Sequence, residues 1–379
     1  MTSFDVIVAG VGAMGSQACW HLARRGQRVL GLDRHDIPNA MGSSHGVNRI
    51  IRLAYFEHPA YVPLLQRAYQ LWRELECASA EQILTTTGSL DIGAENSSVL
   101  NGSLESCRRH GLEHAYLDAR EVMRRYPAFH LPDNFGAVWQ PQGGFVASER
   151  AVAVAAALAL DHGATLRARE SVLAFDPLPG GGVTVRTPKG TYEAQRLILA
   201  AGSWIGELLP RLAPFAVPER QVLAWFQPKR PEFFRLGALP VSNLKFDDRH
   251  IYQFPVWQVP GFKIGLYHHL REQGRPEEVR QEPDDRDEAV LRTAVQRFFP
   301  EADGELLAMR TCLFTNTPDG HFILDALPEC HDVIVASPCS GHGFKFAPVI
   351  GEILADMAMG ISPKLDIKLF ELGRFGARC

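Results

Sequence analysis

A short run rich in Val and Ile, residues 4–9, leads directly into Gly10-Val-Gly-Ala-Met-Gly15, and this junction constrains the chain more than any other segment. Residues 16–25 read as a helix that stops at Gly26, and residues 27–32 as a second strand that closes at Asp33. Strand, glycine turn, helix and strand in about thirty residues form a βαβ unit, which implies a parallel sheet. In G-x-G-x-x-G the first glycine permits a tight turn, the second lets a pyrophosphate approach the backbone, and the third lets helix pack on strand. Ala13 and Met14 open the helix, whose positive end would face a diphosphate. Asp33 sits where a ribose-binding carboxylate belongs. The segment predicts a dinucleotide site built on Gly10, Gly12, Ala13, Met14, Gly15 and Asp33, without choosing between a nicotinamide and a flavin.

Composition narrows the partner. At 379 residues the chain has room for roughly two domains with well-buried cores. A net charge of −4 with 22% charged residues gives no electrostatic reason to expect nucleic acid or an anionic membrane, so a small molecule is the default ligand. The longest apolar run, residues 151–160, is too short to span a bilayer. No secretory signal is visible, and the seven cysteines are odd in number and scattered, with no metal-type spacing. Reduced thiols in a cytoplasm are expected, with no metal site. The final Gly-Ala-Arg-Cys379 is neither a peroxisomal tripeptide nor a prenylation box.

Further α/β character recurs at residues 150–210: a helix at 151–161, a strand at 165–175, a hairpin strand at 183–187 and a buried strand at 196–202. A last unit places a strand at 333–336, a glycine-bearing segment, and a helix at 348–359. Residues 85–145 and 220–315 are richer in aromatics, Pro and alternating patterns, which predicts a second, mostly antiparallel domain inserted into the first. Phe262, Ile264 and Leu266 alternate with Lys263, Gly265 and Tyr267, the period of a half-buried strand. Residues 271–288 are strongly charged and read as a solvated loop and helix face.

His45-Gly-Val-Asn-Arg-Ile-Ile-Arg52 with Ala54-Tyr55 and Tyr61-Val-Pro63, then Ile251-Tyr-Gln-Phe-Pro255, Lys263-Ile-Gly265, Cys312 and Ser340-Gly-His-Gly-Phe-Lys-Phe346, occur in order along the chain. Together they resemble the monomeric sarcosine oxidase and N-methyltryptophan oxidase family of flavin amine oxidases, over essentially the whole length. The resemblance implies an α/β fold: a Rossmann-like FAD-binding domain (1–84, 146–219 and 316–379) interleaved with a mixed, mainly antiparallel substrate domain (85–145 and 220–315). It also implies oxidation of a secondary amino acid, N-methyl or related, to an imine that hydrolyses, with oxygen reduced to hydrogen peroxide; a monomer is expected, with a weak oligomer as the alternative. A flavin dehydrogenase using another acceptor, and an oxidase of a cyclic imino acid or a glycated amine, share most of these features. A nicotinamide-dependent dehydrogenase and a non-catalytic flavin-binding protein are the rivals from other classes.

The same resemblance assigns roles. Cys312 would hold the flavin through a thioether, although a lone strand cysteine is otherwise a small buried hydrophobe. Arg52 with Lys345 would bind the substrate carboxylate, whose burial requires a fixed cation, and Arg49 would lie against the flavin. Spaced three apart, Arg49 and Arg52 would share a face on a helical turn. Lys263 would activate oxygen, with His45 and Tyr252 also at the reacting centre. Ser43, Val172, Gly202, Trp204, Gly341, Gly343 and Phe344 complete the expected cofactor contacts, and His342 reads as a buried structural residue. Tyr267 stands where relatives carry a histidine, and a one-residue bulge would bring His268 into the site instead, with His269 a further candidate. Phe314 stands in place of a tyrosine. Both changes bear on the identity of the substrate.

Overall fold

The computed structural model describes residues 3–376, so the final residues of the C-terminal tetrapeptide lie outside the described part. Strand Ser3–Ala9 lies between Gly190–Leu199 and Val29–Leu32 and runs parallel to both, and Thr165–Arg167 adds in parallel beyond Val29–Leu32. Val29–Leu32 is buried throughout. That is the condition of a parallel strand covered on both faces. Helix Ala13–Ala23 packs against helices Ser148–Asp161 and Ala347–Ala358. On the other side the sheet becomes mixed. Gly190–Leu199 pairs along its first half with the antiparallel Val183–Thr187 and along its second half with the parallel Cys330–Ser337.

A second eight-stranded sheet has the order Leu306–Asn316, Val217–Phe226, Phe262–Leu266, Arg249–Phe254, Val241–Phe246, Ser89–Ala94, Phe135–Gln140 and Ala115–Asp118. Its pairs are antiparallel except for Val241–Phe246 with Ser89–Ala94. Phe262, Ile264 and Leu266 point to a core shared with Leu291, Val295 and Phe298 of helix Asp285–Phe298. The alternation by itself reads as a half-buried strand, but the opposite face is closed too, and Lys263 is only 2% exposed. Ile50 and Phe145, from a three-stranded sheet of Asn48–Ile51, Gly144–Ala147 and Leu84–Thr86, pack there against Leu223, Tyr252 and Phe254.

Three further expectations are corrected by tertiary contacts. Arg49 belongs to strand Asn48–Ile51 and Arg52 follows that strand, so no helical turn joins them. Pairing with Gly144–Ala147 supplies the hydrogen bonds that a helix would have made internally. Residues 165–175 are two strands, Thr165–Arg167 and Ala174–Pro177, with Arg169 in the left-handed region at φ 54° between them. The break lets the amides of Arg169 and Glu170 bond the carbonyls of His35 and Asp33, at 3.0 and 2.7 Å. The charged segment 271–288 is not uniformly solvated either. Asp284 caps helix Asp285–Phe298, but Asp287 in its first turn is fully buried and takes both Nη atoms of Arg220 at 2.8 Å, with His269 Nε2 at 3.0 Å.

Burial acts to raise the pKa of Asp287, and the Arg220 fork and the Asp284 amide overcome it, holding the carboxyl well below the ordinary range. Removing one partner of such a pair leaves the other charge buried and uncompensated. Asp287→Ala should therefore lower the unfolding free energy by about 3–5 kcal/mol, read as a lower denaturant midpoint. An unchanged midpoint would show that Arg220 finds other acceptors.

Candidate active site

The glycine turn opens into a cavity of about 1660 Å³, counted with its mouth, that also reaches Arg52 and the second sheet. Gly10 adopts φ +95°, and a Cβ there would stand 2.4 Å from the carbonyl oxygen of Ala200. At Gly15 a Cβ would meet the Gly10 oxygen, so this glycine is the contact between helix and strand and does not line the cavity. At Gly12 a Cβ would meet only Ser44 Oγ, at 3.4 Å. The backbone is thus open to a ligand at the one position where a pyrophosphate needs to approach it. Asp33 Oδ2 accepts from the Val11 amide at 2.7 Å and Oδ1 from the His35 amide at 2.8 Å. Burial raises its pKa and those two amides oppose the rise. Ala13, Met14, Ser43, Arg49, Val172, Gly202 and Trp204 line the same cavity, as do Gly341, Gly343, Phe344 and Lys345. A glycine opening at a helix N-terminus, a terminal carboxylate and a long cavity fit a dinucleotide.

Beyond the turn lies a group of buried charges. Arg52 is 1% exposed; its Nη2 donates to both oxygens of Glu57, at 2.9 and 2.7 Å, and its Nε lies 3.5 Å from Asp91 Oδ1. Burial works against its charge, but Asp91 and Glu57 hold its pKa above the ordinary arginine value. Tyr55 and Phe56 present their rings to the guanidinium at 4.5 and 4.2 Å. Lys345 Nζ donates to the His342 carbonyl at 2.8 Å and is pulled down to a pKa of about 7, by burial first and by Arg52 second. His342 Nε2 faces the Gly320 carbonyl at 2.9 Å, and only a ring N–H can satisfy that acceptor. With the imidazole kept neutral by burial, its pKa pushed to about 4, Nδ1 accepts from Tyr55 OH at 2.6 Å. His342 is thus a fully bonded support for the Lys345 segment.

The question left open around residue 267 has a definite outcome. The Tyr267 amide bonds the His250 carbonyl at 2.8 Å, which continues the regular ladder between Phe262–Leu266 and Arg249–Phe254. No bulge forms, so period two brings Tyr267 to the cavity. There it stacks on His250 at 4.3 Å and meets Tyr252 and Phe314 edge-on at 5.3 and 5.6 Å. His268 turns away to Glu219, at 3.0 Å, and His269 is buried against Asp287; neither lines the cavity. Tyr252 does, and its ring needs Gly265, where a Cβ would stand 2.4 Å from it.

Lys263, His45 and Cys312 lie behind the cavity wall and not on it. Lys263 Nζ donates to the carbonyls of Gly46 and Asn48 and to Asn48 Oδ1, at 2.6, 2.8 and 2.7 Å, and sits 4.2 Å from the Phe254 ring. Burial and Arg49 lower its pKa. Three oxygen acceptors nevertheless match the three protons of the ammonium form. His45 is held neutral, its pKa pushed to about 4 by burial and by Arg49. Cys312 packs with Ile50, Tyr252 and Phe254, all three of which line the cavity, and it precedes the lining residues Leu313 and Phe314. Burial raises its thiol pKa, and the charges of Arg49 and Lys263 oppose the rise.

Glu57, Asp91, Ser44 and Asn243 were not singled out from the sequence. Asp91 left a signal: an acid inside the strand Ser89–Ala94, where acids are depleted. Ser44, which accepts from the Ala13 amide at 3.1 Å, left none.

The model of the DAO family, FAD dependent oxidoreductase, matches residues 5–357. The chain is 38% identical to a monomeric sarcosine oxidase of Streptomyces avermitilis, covering 99% of this chain and 98% of that protein. It is 34% identical to an N-methyl-L-tryptophan oxidase of Salmonella typhi, covering 98% and 99%. Among solved structures, NikD, described as an unusual amino acid oxidase essential for nikkomycin biosynthesis, matches with a TM-score of 0.84 at 27% identity, covering 98% of each chain. The glycine opening, the terminal Asp33 and the buried cations of the cavity therefore stand in a chain that belongs to the DAO family of FAD-dependent oxidoreductases.

Proposed function

We propose that this protein oxidises a secondary amino acid at its C–N bond, with FAD as cofactor and oxygen as acceptor, producing an imine and hydrogen peroxide. The observation that carries the reading is the pairing of Arg52 and Lys345 in the cavity that also receives the glycine turn. Bound FAD would supply the two-electron acceptor that the amine requires and that oxygen later empties. Gly12, Asp33, Arg49 and the Gly341–Lys345 segment would hold it.

The chain's own contribution is placement. Lys345 spends one donor on His342 and keeps two for a carboxylate. Arg52, braced by Glu57 and Asp91, adds a fixed positive charge at the same place. Tyr252, Tyr267 and Phe314 provide an apolar wall that excludes water. Lys263, with all three protons engaged, acts on oxygen as a fixed charge behind Phe254 and not by direct contact.

Cys312 is the residue we assign to covalent attachment of the flavin, supported by its packing against the cavity-lining Ile50, Tyr252 and Phe254; burial raises its thiol pKa, and Arg49 and Lys263 offset part of that rise. In the same reading residues 1–84, 146–219 and 316–379 form the FAD domain, and 85–145 and 220–315 the substrate domain. The enzyme is taken to be cytoplasmic, in keeping with six described cysteines that are all free thiols, and monomeric, as the sarcosine oxidase it is similar to is named. Among the described residues no helix is long and apolar enough to cross a membrane.

Anaerobic mixing with N-methyl amino acids should bleach the flavin, and air should restore the colour with release of peroxide. Bleaching followed by slow recolouring without peroxide would replace the oxidase by a dehydrogenase. Acid precipitation should carry the flavin down with the protein, and Cys312→Ser should release it to the supernatant; free flavin from the wild type would exclude the thioether. Inhibition by a simple carboxylate such as propanoate should be tightest at low pH and weaken as pH rises through about 7, because Lys345 loses its charge there. Lys345→Met should flatten that dependence. A flat profile in the wild type would remove Lys345 from the carboxylate site.

A further inference from the structure

Strand Ser89–Ala94 pairs with Val241–Phe246, and Val241–Phe246 with Arg249–Phe254, in a register that sets Asp91, Asn243 and Tyr252 side by side. Directly opposed residues share a face of the sheet. Asp91 is 1% exposed; its Oδ2 accepts from Ser103 Oγ at 2.7 Å and its Oδ1 from Asn243 Nδ2 at 2.9 Å. Burial raises the pKa of Asp91, and Arg52 with these two hydrogen bonds opposes the rise; in the ionised form it only accepts, so it fixes which end of the Asn243 amide faces it. The nitrogen points to Asp91, and the oxygen is left on the other side. Asn243 is 3% exposed and lines the cavity beside Arg52 and Tyr252. Among the described residues its Oδ1 receives no hydrogen bond, yet it is not sealed in the protein interior. It is an oriented acceptor, open to the cavity and in need of a donor.

We propose that Asn243 is a specificity-determining residue: its Oδ1 accepts a hydrogen bond from a donor that the substrate carries apart from its reacting amine. The substrate class is then amino acids whose side chain bears a hydroxyl, amide or ammonium group. Asp91 is the positioning residue that orients the amide. This deepens the amino-acid oxidase reading and rests on it, since the substrate carboxylate is taken to lie at Arg52 and Lys345. A site built to bond such a group discriminates against an analogue that lacks it, because its own polar atom is then stranded.

The test uses the holoenzyme and calorimetry with three matched pairs: 3-hydroxypropanoate and butanoate, 4-hydroxybutanoate and pentanoate, 5-hydroxypentanoate and hexanoate. These acids carry no amine, so binding is read apart from turnover. In at least one pair the hydroxy acid should bind about tenfold more tightly than its partner of equal size. An apolar pocket would give the opposite order. Asn243→Leu should bring that ratio to about one or invert it, and Asp91→Asn should reduce it several-fold. A merely structural role would weaken both members alike. If the alkanoate equals or exceeds the hydroxy acid in every pair, or if both variants leave the ratio untouched, the proposal is overturned while the carboxylate site stands. If no acid binds at all, the carboxylate site falls and this proposal with it.

Discussion

A cation enclosed by protein must find its acceptors inside the protein, and the architecture around the cavity follows from that requirement. Lys263, on a strand of the second sheet, is bonded by oxygens of Gly46 and Asn48, more than two hundred positions earlier in the chain. Arg52 is held by Glu57 close by and faces Asp91 on the second sheet. These contacts bring the segment around residues 42–57 against the second sheet, and that meeting closes the cavity wall. The backbone oxygens around Gly46 are satisfied by the same bonds that secure the lysine, so neither partner is left unpaired.

The charge arrangement has a chemical consequence. Arg52 arrives with two carboxylates beside it, whereas Lys345 has only a carbonyl, and its burial first and the nearby Arg52 second lower its pKa toward neutrality. The guanidinium is therefore a permanent, braced charge, and the lysine is the group that responds to an incoming anion. Tyr267, Tyr252 and Phe314 surround the same space with aromatic edges and faces, which keeps its dielectric low and gives that response its strength.

Much of this was legible from local patterns. The turn at Gly10 to Gly15 and the acid at Asp33 are short-range features whose geometry depends on neighbours in the chain, and they occur where the sequence places them. Period two carried Lys263, Gly265 and Tyr267 to one face, and the regular ladder at His250 excluded the bulge that would have favoured His268. Arg49 and Arg52 were misplaced because spacing by three reads as a helical face only if the backbone is helical. There a pairing with Gly144–Ala147, nearly a hundred residues away, makes it a strand. Asp287 was lost in a charged run because its partner Arg220 is distant in sequence.

The sequence by itself determined the dinucleotide turn and the two classes of sheet, since these depend on local backbone preference, while the roles of the cations came from the resemblance of their motifs to a known family. Only the tertiary structure decided which charges are braced and which are free to respond, that Cys312 and Lys263 stand behind the cavity wall, and that Asp91 aims the oxygen of Asn243 into it. Those outcomes depend on strand pairings between remote segments, and a pairing partner supplied from elsewhere in the chain leaves no periodic mark at the residue it positions.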